Sequence, residues 1–201
     1  MKIRVRNARL AFPALFHPRA FGAEDSAPAY SASFILEGQG TDPVVEVARP
    51  QPDGTTKWQE TKLWDVLLTV ARDKWGAKGE QNFRALKSSG KLCVRDGADK
   101  AAYSGFEGNL YISARNPQVK PLVLGPDRKE LDPNSGKLYA GCYVHAVLDI
   151  YAQDNVYGKR INASIGTVMF AKDGEAFGGG VRGSADDLAD LAVADDVSDL
   201  I

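Results

Sequence analysis

Leu138-Tyr139-Ala140-Gly141-Cys142-Tyr143-Val144-His145-Ala146-Val147-Leu148-Asp149-Ile150-Tyr151-Ala152 decides the fold class. Its side chains alternate with a period of two, the signature of a half-buried strand and not of a helix. Ala140, Cys142, Val144, Ala146, Leu148 and Ile150 share one face, and Tyr139, Tyr143, His145, Val147 and Tyr151 share the other. A second long strand is expected over Arg160 to Ala171, so Tyr157, Lys159 and Arg160 stand at the turn between the two. The alternation returns earlier in the chain. Lys2, Arg4 and Arg6 alternate with Ile3 and Val5, which predicts a strand carrying a cationic stripe. Tyr30 to Leu36 places Tyr30, Ala32, Phe34 and Leu36 on one face, while Lys91 to Arg95, Asn109 to Arg115 and Pro121 to Leu124 are shorter strand candidates. Phe12 to Gly22, with Pro13 and Pro18, reads as turn-rich.

One stretch breaks this rhythm. Between Glu60 and Trp75, Leu63, Trp64, Val66, Leu67, Val70 and Ala71 follow helical spacing, and Gly76 supplies a stop. Glu80 to Ser88 is a candidate second short helix. Pro50-Gln51-Pro52-Asp53-Gly54 joins Val44–Arg49 to Thr55–Gln59 as a surface hairpin. Five or more strands with a helix interposed predict a mainly β protein: an OB-fold-like Greek-key barrel with one or two inserted helices. A β-sandwich fits the strand count nearly as well.

Charge divides the chain in two. The whole sequence carries 25 Lys and Arg against 26 Asp and Glu. Six of the acidic residues, Asp186, Asp187, Asp190, Asp195, Asp196 and Asp199, fall after Ser184, where no Lys, Arg or His stands. The division expected is a folded domain over 1–183, net positive, and a disordered acidic tail over 184–201. A basic body beside a polyanionic end raises the prior for a polyanionic ligand. Within the tail, Leu188 and Leu191, then Val197, Leu200 and Ile201, follow i,i+3 and i,i+4 spacing, so short apolar patches form if it becomes helical against a partner.

Several classes of function are set aside. The sequence holds no phosphate-binding P-loop, dinucleotide fingerprint, nucleophile elbow or zinc-protease motif. His17 and His145 are the only histidines, and with Cys93 and Cys142 they give no metal-ligand spacing. No enzyme activity, metal or cofactor is expected. Without a membrane-length apolar run or a signal-like N-terminus, the expectation is a cytoplasmic protein with buried, reduced cysteines.

What remains is aromatic residues interleaved with basic ones. Phe12, Phe16 and Phe21 flank Arg9 and Arg19; Lys100, Tyr103 and Phe106 precede Tyr111 and Arg115. Unpaired nucleic acid needs cations to follow its phosphates and flat rings to stack on its bases, each stacked base contributing roughly 1–3 kcal/mol. Candidate phosphate contacts are Lys2, Arg4, Arg19, Lys100, Arg115, Lys159 and Arg160. Candidate stacking rings are Phe12, Phe16, Phe21, Tyr103, Phe106 and Tyr111. Tyr30, Phe34, Trp64 and Tyr143 fit regular apolar patterns and are better placed in the core.

Val5-Arg6-Asn7-Ala8-Arg9-Leu10-Ala11-Phe12-Pro13-Ala14-Leu15-Phe16, Tyr30-Ser31-Ala32-Ser33-Phe34-Ile35-Leu36 and Tyr139-Ala140-Gly141-Cys142-Tyr143-Val144 resemble, in order, a family of phage-encoded single-stranded DNA-binding proteins. Tyr103–Gly108 and Gly174–Gly180 extend the match. The resemblance implies an OB-fold, binding of single-stranded DNA in phage replication or recombination, and an acidic tail that contacts replication proteins such as a polymerase or helicase. The contact would run through the tail aspartates with Leu200 and Ile201. The interleaved rings and cations add that the binding is sequence-tolerant, and the charge division adds that the tail competes with DNA. Related tails often end in an aromatic residue, whereas this one ends Asp199-Leu200-Ile201. Self-association into a homo-oligomer stays open. The competing reading is a β-sandwich module for carbohydrate or protein, in a virion for example; a strand-annealing activity would be an addition to the first reading.

Overall fold

Alternation along the N-terminal segment extends much further than Arg6. In the computed structural model, which describes residues 1–20 and 27–178, β1 runs over Lys2–Arg19. Of the segment expected to be turn-rich, Phe12 to Gly22, the part up to Arg19 is instead a continuation of this strand. Register shifts interrupt its pairing, and Asn7 (φ 50°) and Phe12 (φ 49°) adopt left-handed backbone. Bulges of this kind admit Pro13 to a strand that would otherwise exclude it, and they bend the strand so that it can pair on both sides.

The other strands are β2 (Ala29–Leu36), β3 (Val44–Pro50), β4 (Thr56–Lys62), β5 (Val94–Asp96), β6 (Leu110–Asn116), β7 (Leu122–Leu124), β8 (Tyr143–Asn155) and β9 (Gly158–Lys172). Helices α1 (Leu63–Trp75) and α2 (Gly79–Ser88) lie between β4 and β5. α1 begins three residues later than Glu60, because Glu60 to Lys62 complete the β3–β4 ladder. Similarly, β8 starts at Tyr143, since Gly141 (φ 107°) turns the chain just before it.

The strands join one sheet in the order β5-β6-β2-β1-β8-β9-β7, with the β3–β4 hairpin attached beside β1. The expected Greek-key barrel is not formed, because among the described residues no ladder joins the β5 end to the β7 end. The shortness of β5 explains why. Ahead of it, Lys91–Cys93 touches β9 only at Ile161, and the chain then turns to pair with β6. Further along β9, β7 takes the outer edge in parallel. Among the described residues there is no second sheet to make a sandwich, since all the named strands belong to one sheet.

The main core forms where Ile3, Val5 and Leu10 of β1 meet Phe34 and Leu36 of β2 and Leu148 and Ile150 of β8. α1 covers it with Leu63, Val66, Leu67, Val70 and Ala71, the stripe that its spacing predicted. Phe34 is fully buried, while Tyr30, Trp64 and Tyr143 are half-buried. A smaller cluster of Ala11, Ile35, Phe106 and Tyr111 lies apart, edged by Phe12 and Phe177. Since successive strand residues point to opposite faces, Ile35 and Tyr111 lie on the face away from Phe34 and Ile112. The segment between β5 and β6 closes over this patch. It can lie so near because Gly97 has no side chain: a Cβ there would stand 1.8 Å from the Phe106 carbonyl oxygen.

Candidate nucleic-acid interface

The covering segment hides only part of the outer β2–β6 face. Following β2 from Ile35 along that face reaches Ser33 and Ser31; following β6 from Tyr111 reaches Ser113 and Arg115. Cross-strand register sets Ser33 opposite Ser113 and Ser31 opposite Arg115. The sheet face thus changes from a small apolar core to a strip of hydroxyls. At the boundary stands Lys100, from the covering segment, whose Nζ lies 4.7, 5.2 and 4.9 Å from the ring centres of Phe12, Phe106 and Tyr111. Burial and the neighbouring Arg95 both lower its pKa.

Two cavities occupy the bare part of the face. One, of about 230 Å³, is lined by Phe12, Lys100 and the serine strip; the other, of about 490 Å³, is lined by Lys91, Arg95, Tyr151 and Arg160 among others. They share Ser113 and Arg115, so together they make one groove across β2, β6 and β5 to the β8–β9 hairpin. Lys91, Arg95, Lys100, Arg115 and Arg160 form no ion pair with any carboxylate among the described residues. Arg115 donates one hydrogen bond, to the Ala27 carbonyl. Asn162 donates to Gln153 across the hairpin at 2.8 Å, which firms the polar wall. Cys93 also lines the groove but is 6% exposed, and burial pushes its thiol up to about 12. Phosphates would therefore meet unpaired cations over a floor of small side chains, which lets a flat base approach closely.

The residues named from sequence divide among several places. Phe12, Lys100, Arg115 and Arg160 line the groove. Tyr103 is 54% exposed and meets Phe12 edge to face at 5.1 Å, beside an adjoining cavity of about 310 Å³. Phe106 and Tyr111 are each 1% exposed and pack edge to face at 5.0 Å, so their rings build the wall and offer no face to a base. Phe16 and Arg19 line a separate small cavity with Leu138. Lys159 turns toward the helices, with its Nζ 3.5 Å from Asn82 Oδ1 and 5.8 Å from the Trp75 ring centre. Lys2 is exposed on β1, whereas Arg4 is engaged by Glu46 and by the Trp58 ring, 4.4 Å away. Arg6 grips the same Glu46 carboxylate, so two of the stripe's three cations share one carboxylate within the fold, and only Lys2 has no ion pair among the described residues. Phe21 and the tail residues Asp186, Asp187, Asp190, Asp195, Asp196, Asp199, Leu200 and Ile201 lie outside the described residues. Sequence reading missed Lys91, Arg95 and the serines. The serines were legible in principle, because Ser31, Ser33, Ser113 and Arg115 sit at period-two positions opposite the apolar faces.

At the other edge of the small cluster, Arg9 gathers the last described residues. It donates to the Gly141 and Glu175 carbonyls at 3.3 and 3.0 Å, pairs with Glu37 at 3.0 Å, and lies 4.5 Å from the Phe177 ring centre. Gly141 permits this closure, since a Cβ there would stand 2.1 Å from the Glu175 carbonyl oxygen. Tyr143 donates to the same Glu37, an interaction that raises the phenol's pKa. Gly178 lines the same cavity as Phe12 and Tyr103, which places the end of the described chain near the groove that Phe12 also lines.

Residues 1–198 match the family described as Enterobacter phage Enc34, ssDNA-binding protein. Protein p50 of Acyrthosiphon pisum secondary endosymbiont phage 1 is 35% identical over 198 residues, which cover 98% of this chain and 97% of that protein. Among solved structures, the single-stranded DNA-binding protein from bacteriophage Enc34 in complex with ssDNA is 29% identical, with a TM-score of 0.56 over 88% of this chain and 89% of that one. A C-terminal truncation of the same protein gives 27% identity and a TM-score of 0.56 over 88% of each chain. The bacteriophage T7 gp2.5 single-stranded DNA-binding protein shares the fold at 9% identity, with a TM-score of 0.50 over 97% and 96% of the chains.

Proposed function

This chain belongs to the family of the Enc34 phage single-stranded DNA-binding protein, and from that premise we infer that the groove across β2, β6 and β5 is where it holds single-stranded DNA. The observation that carries the placement is the group of cations without carboxylate partners among the described residues, Lys91, Arg95, Lys100, Arg115 and Arg160, around a floor of serines. Phosphates lie along these cations, and Phe12 and Tyr103 offer rings to the bases at the groove's end. The protein binds and does not catalyse. It coats strands exposed during phage DNA replication or recombination, in the cytoplasm of the bacterial host.

The acidic tail competes for the same groove. Support comes from where the chain leads into it: Gly178 and Phe12 border one cavity, and Phe12 borders the groove as well. Six aspartates attached there act as an intramolecular rival to the phosphates at high effective concentration. DNA displaces them, which frees the tail for a polymerase, a helicase or another replication protein.

Titration of the full chain with labelled oligo-dT at several salt concentrations tests the reading. Each phosphate contact contributes about −0.7 to the slope of log affinity against log salt, so a slope near −3 is expected for about four contacts. Affinity indifferent to salt, or duplex bound as tightly as single strand, would overturn it.

A further inference from the structure

The smaller cavity of the groove has a composition that its role in holding phosphates does not require. Ser31, Ser33 and Ser113 supply hydroxyls, Lys100 and Arg115 supply cations, and Phe12 supplies an aromatic wall. A serine hydroxyl donates or accepts, so it tolerates the edge of any base. Ammonium and guanidinium groups only donate. The Lys100 ammonium is held among three rings, with no carboxylate paired to it among the described residues. The Lys100 ammonium donates no hydrogen bond among the described residues, which leaves its N–H groups for an incoming acceptor. Arg115 spends one donor on the Ala27 carbonyl and keeps the others. At about 230 Å³ the cavity has room for a single base.

We propose that this cavity takes one base of the bound strand and favours keto bases, thymine and guanine, over the amino bases cytosine and adenine. The proposal rests on the single-stranded DNA reading above and deepens it. Thymine O4 and guanine O6 present acceptors to Lys100 and Arg115. The exocyclic amino groups of cytosine and adenine, turned to the same two cations, point donors at donors, a mismatch that forfeits the charged hydrogen bonds a keto oxygen would accept. Serines elsewhere on the floor keep the remaining contacts tolerant, so the effect is a bias within general binding and not a sequence code.

Oligo-dT and oligo-dC of equal length provide the test, since both are pyrimidines. In the full chain at fixed salt, oligo-dT is expected to bind roughly tenfold more tightly than oligo-dC, at the lower end of what one such contact discriminates. Oligo-dU, which keeps the keto edge and lacks the methyl group, should match oligo-dT. Lys100→Met and, separately, Arg115→Gln should each weaken binding and bring the two affinities to within about twofold. Equal binding of dT and dC by the unaltered protein would overturn the proposal, as would a preference that survives both substitutions, because the cations would then serve phosphates alone. Oligo-dU bound as weakly as oligo-dC would assign the preference to the methyl group and overturn it too. Binding of neither oligomer would remove the parent reading together with the cavity's role, whereas equal binding removes the cavity's role only.

Discussion

Two regions of this protein set cations on an exposed sheet face, and they have opposite electrostatic fates. On β1, Arg4 and Arg6 converge on the Glu46 carboxylate, with contacts of 2.8 and 2.7 Å, and Arg4 also covers Trp58. Across β5, β6 and β9, Arg95, Arg115 and Arg160 face a groove with no carboxylate to hold them among the described residues. The first arrangement holds the β3–β4 hairpin to β1, and two donors of each guanidinium are spent on Glu46 within the fold. In the second, charge remains for a ligand. A count of Lys and Arg along a strand cannot distinguish these cases, because the partner that decides the matter lies about forty residues away in the chain.

The comparison can be broken most directly by removing charge from each region in turn. Replacing Arg95, Arg115 and Arg160 together with glutamine is expected to weaken single-stranded DNA binding by about a thousandfold at low salt and to reduce the salt slope by about 2. The triple glutamine substitution at Lys2, Arg4 and Arg6 should leave the slope nearly unchanged. Fluorescence anisotropy across a salt series reads both, and similar losses from the two triples would erase the distinction.

A smaller effect concerns the wall of the groove. Gly97→Ala forces a methyl group against the Phe106 carbonyl and should cost about 2–4 kcal/mol in denaturant unfolding. Because the displaced segment carries Lys100, DNA affinity should fall as well. Unchanged stability would show that the segment does not rely on that close approach.

Neutralising the six tail aspartates to asparagine in the full chain should tighten DNA binding roughly tenfold in dilute salt, and the gain should fade as salt screens the competition. A gain that persists at high salt would contradict an electrostatic rival.

The smallest effect sharpens the β1 side. Hydrogen bonding by Arg4 is the largest influence holding the Glu46 carboxyl down to about 2, with Arg6 reinforcing it. A carboxyl lowered by folding stabilises the native state above its unfolded pKa of about 4.3 and loses that contribution as pH falls toward 2. Glu46→Gln should cost about 1 kcal/mol at neutral pH and flatten the loss of stability between about pH 4 and 2. It should also release Arg4 and Arg6 and produce a slight rise in DNA affinity at low salt. If stability at pH 3 declines as steeply as before, another carboxylate governs the acid limb.

Period-two alternation made β2, β6, β8 and β9 legible, and helical spacing found the buried stripe of α1. The N-terminal strand was legible only to Arg6, because Pro13 and the left-handed Phe12 mimic a turn when they in fact mark bulges in a continuing strand. Barrel closure was not legible, since it depends on a ladder between distant ends that a three-residue β5 does not supply. Lys91 to Arg95 was legible as a short strand, but not as part of the groove, because its two cations reach Arg115 and Arg160 only through the folding of distant strands. Phe106 and Tyr111 misled for a physical reason: a ring beside a lysine has the same local sequence whether it stacks on a ligand or packs in a satellite core.

Cys93 gives the groove a use of a different kind. Its thiol lies in the groove's lining, nearly out of reach of solvent, and Cys142 is fully enclosed elsewhere in the core. Both cysteines are unreactive in the closed fold, so the rate at which a thiol reagent modifies each one becomes a clock for local opening. A strand of DNA lying across β5 would slow the clock at Cys93 more than at Cys142. The native protein thus carries a matched pair of timers, one beneath the ligand and one remote from it, with no label added.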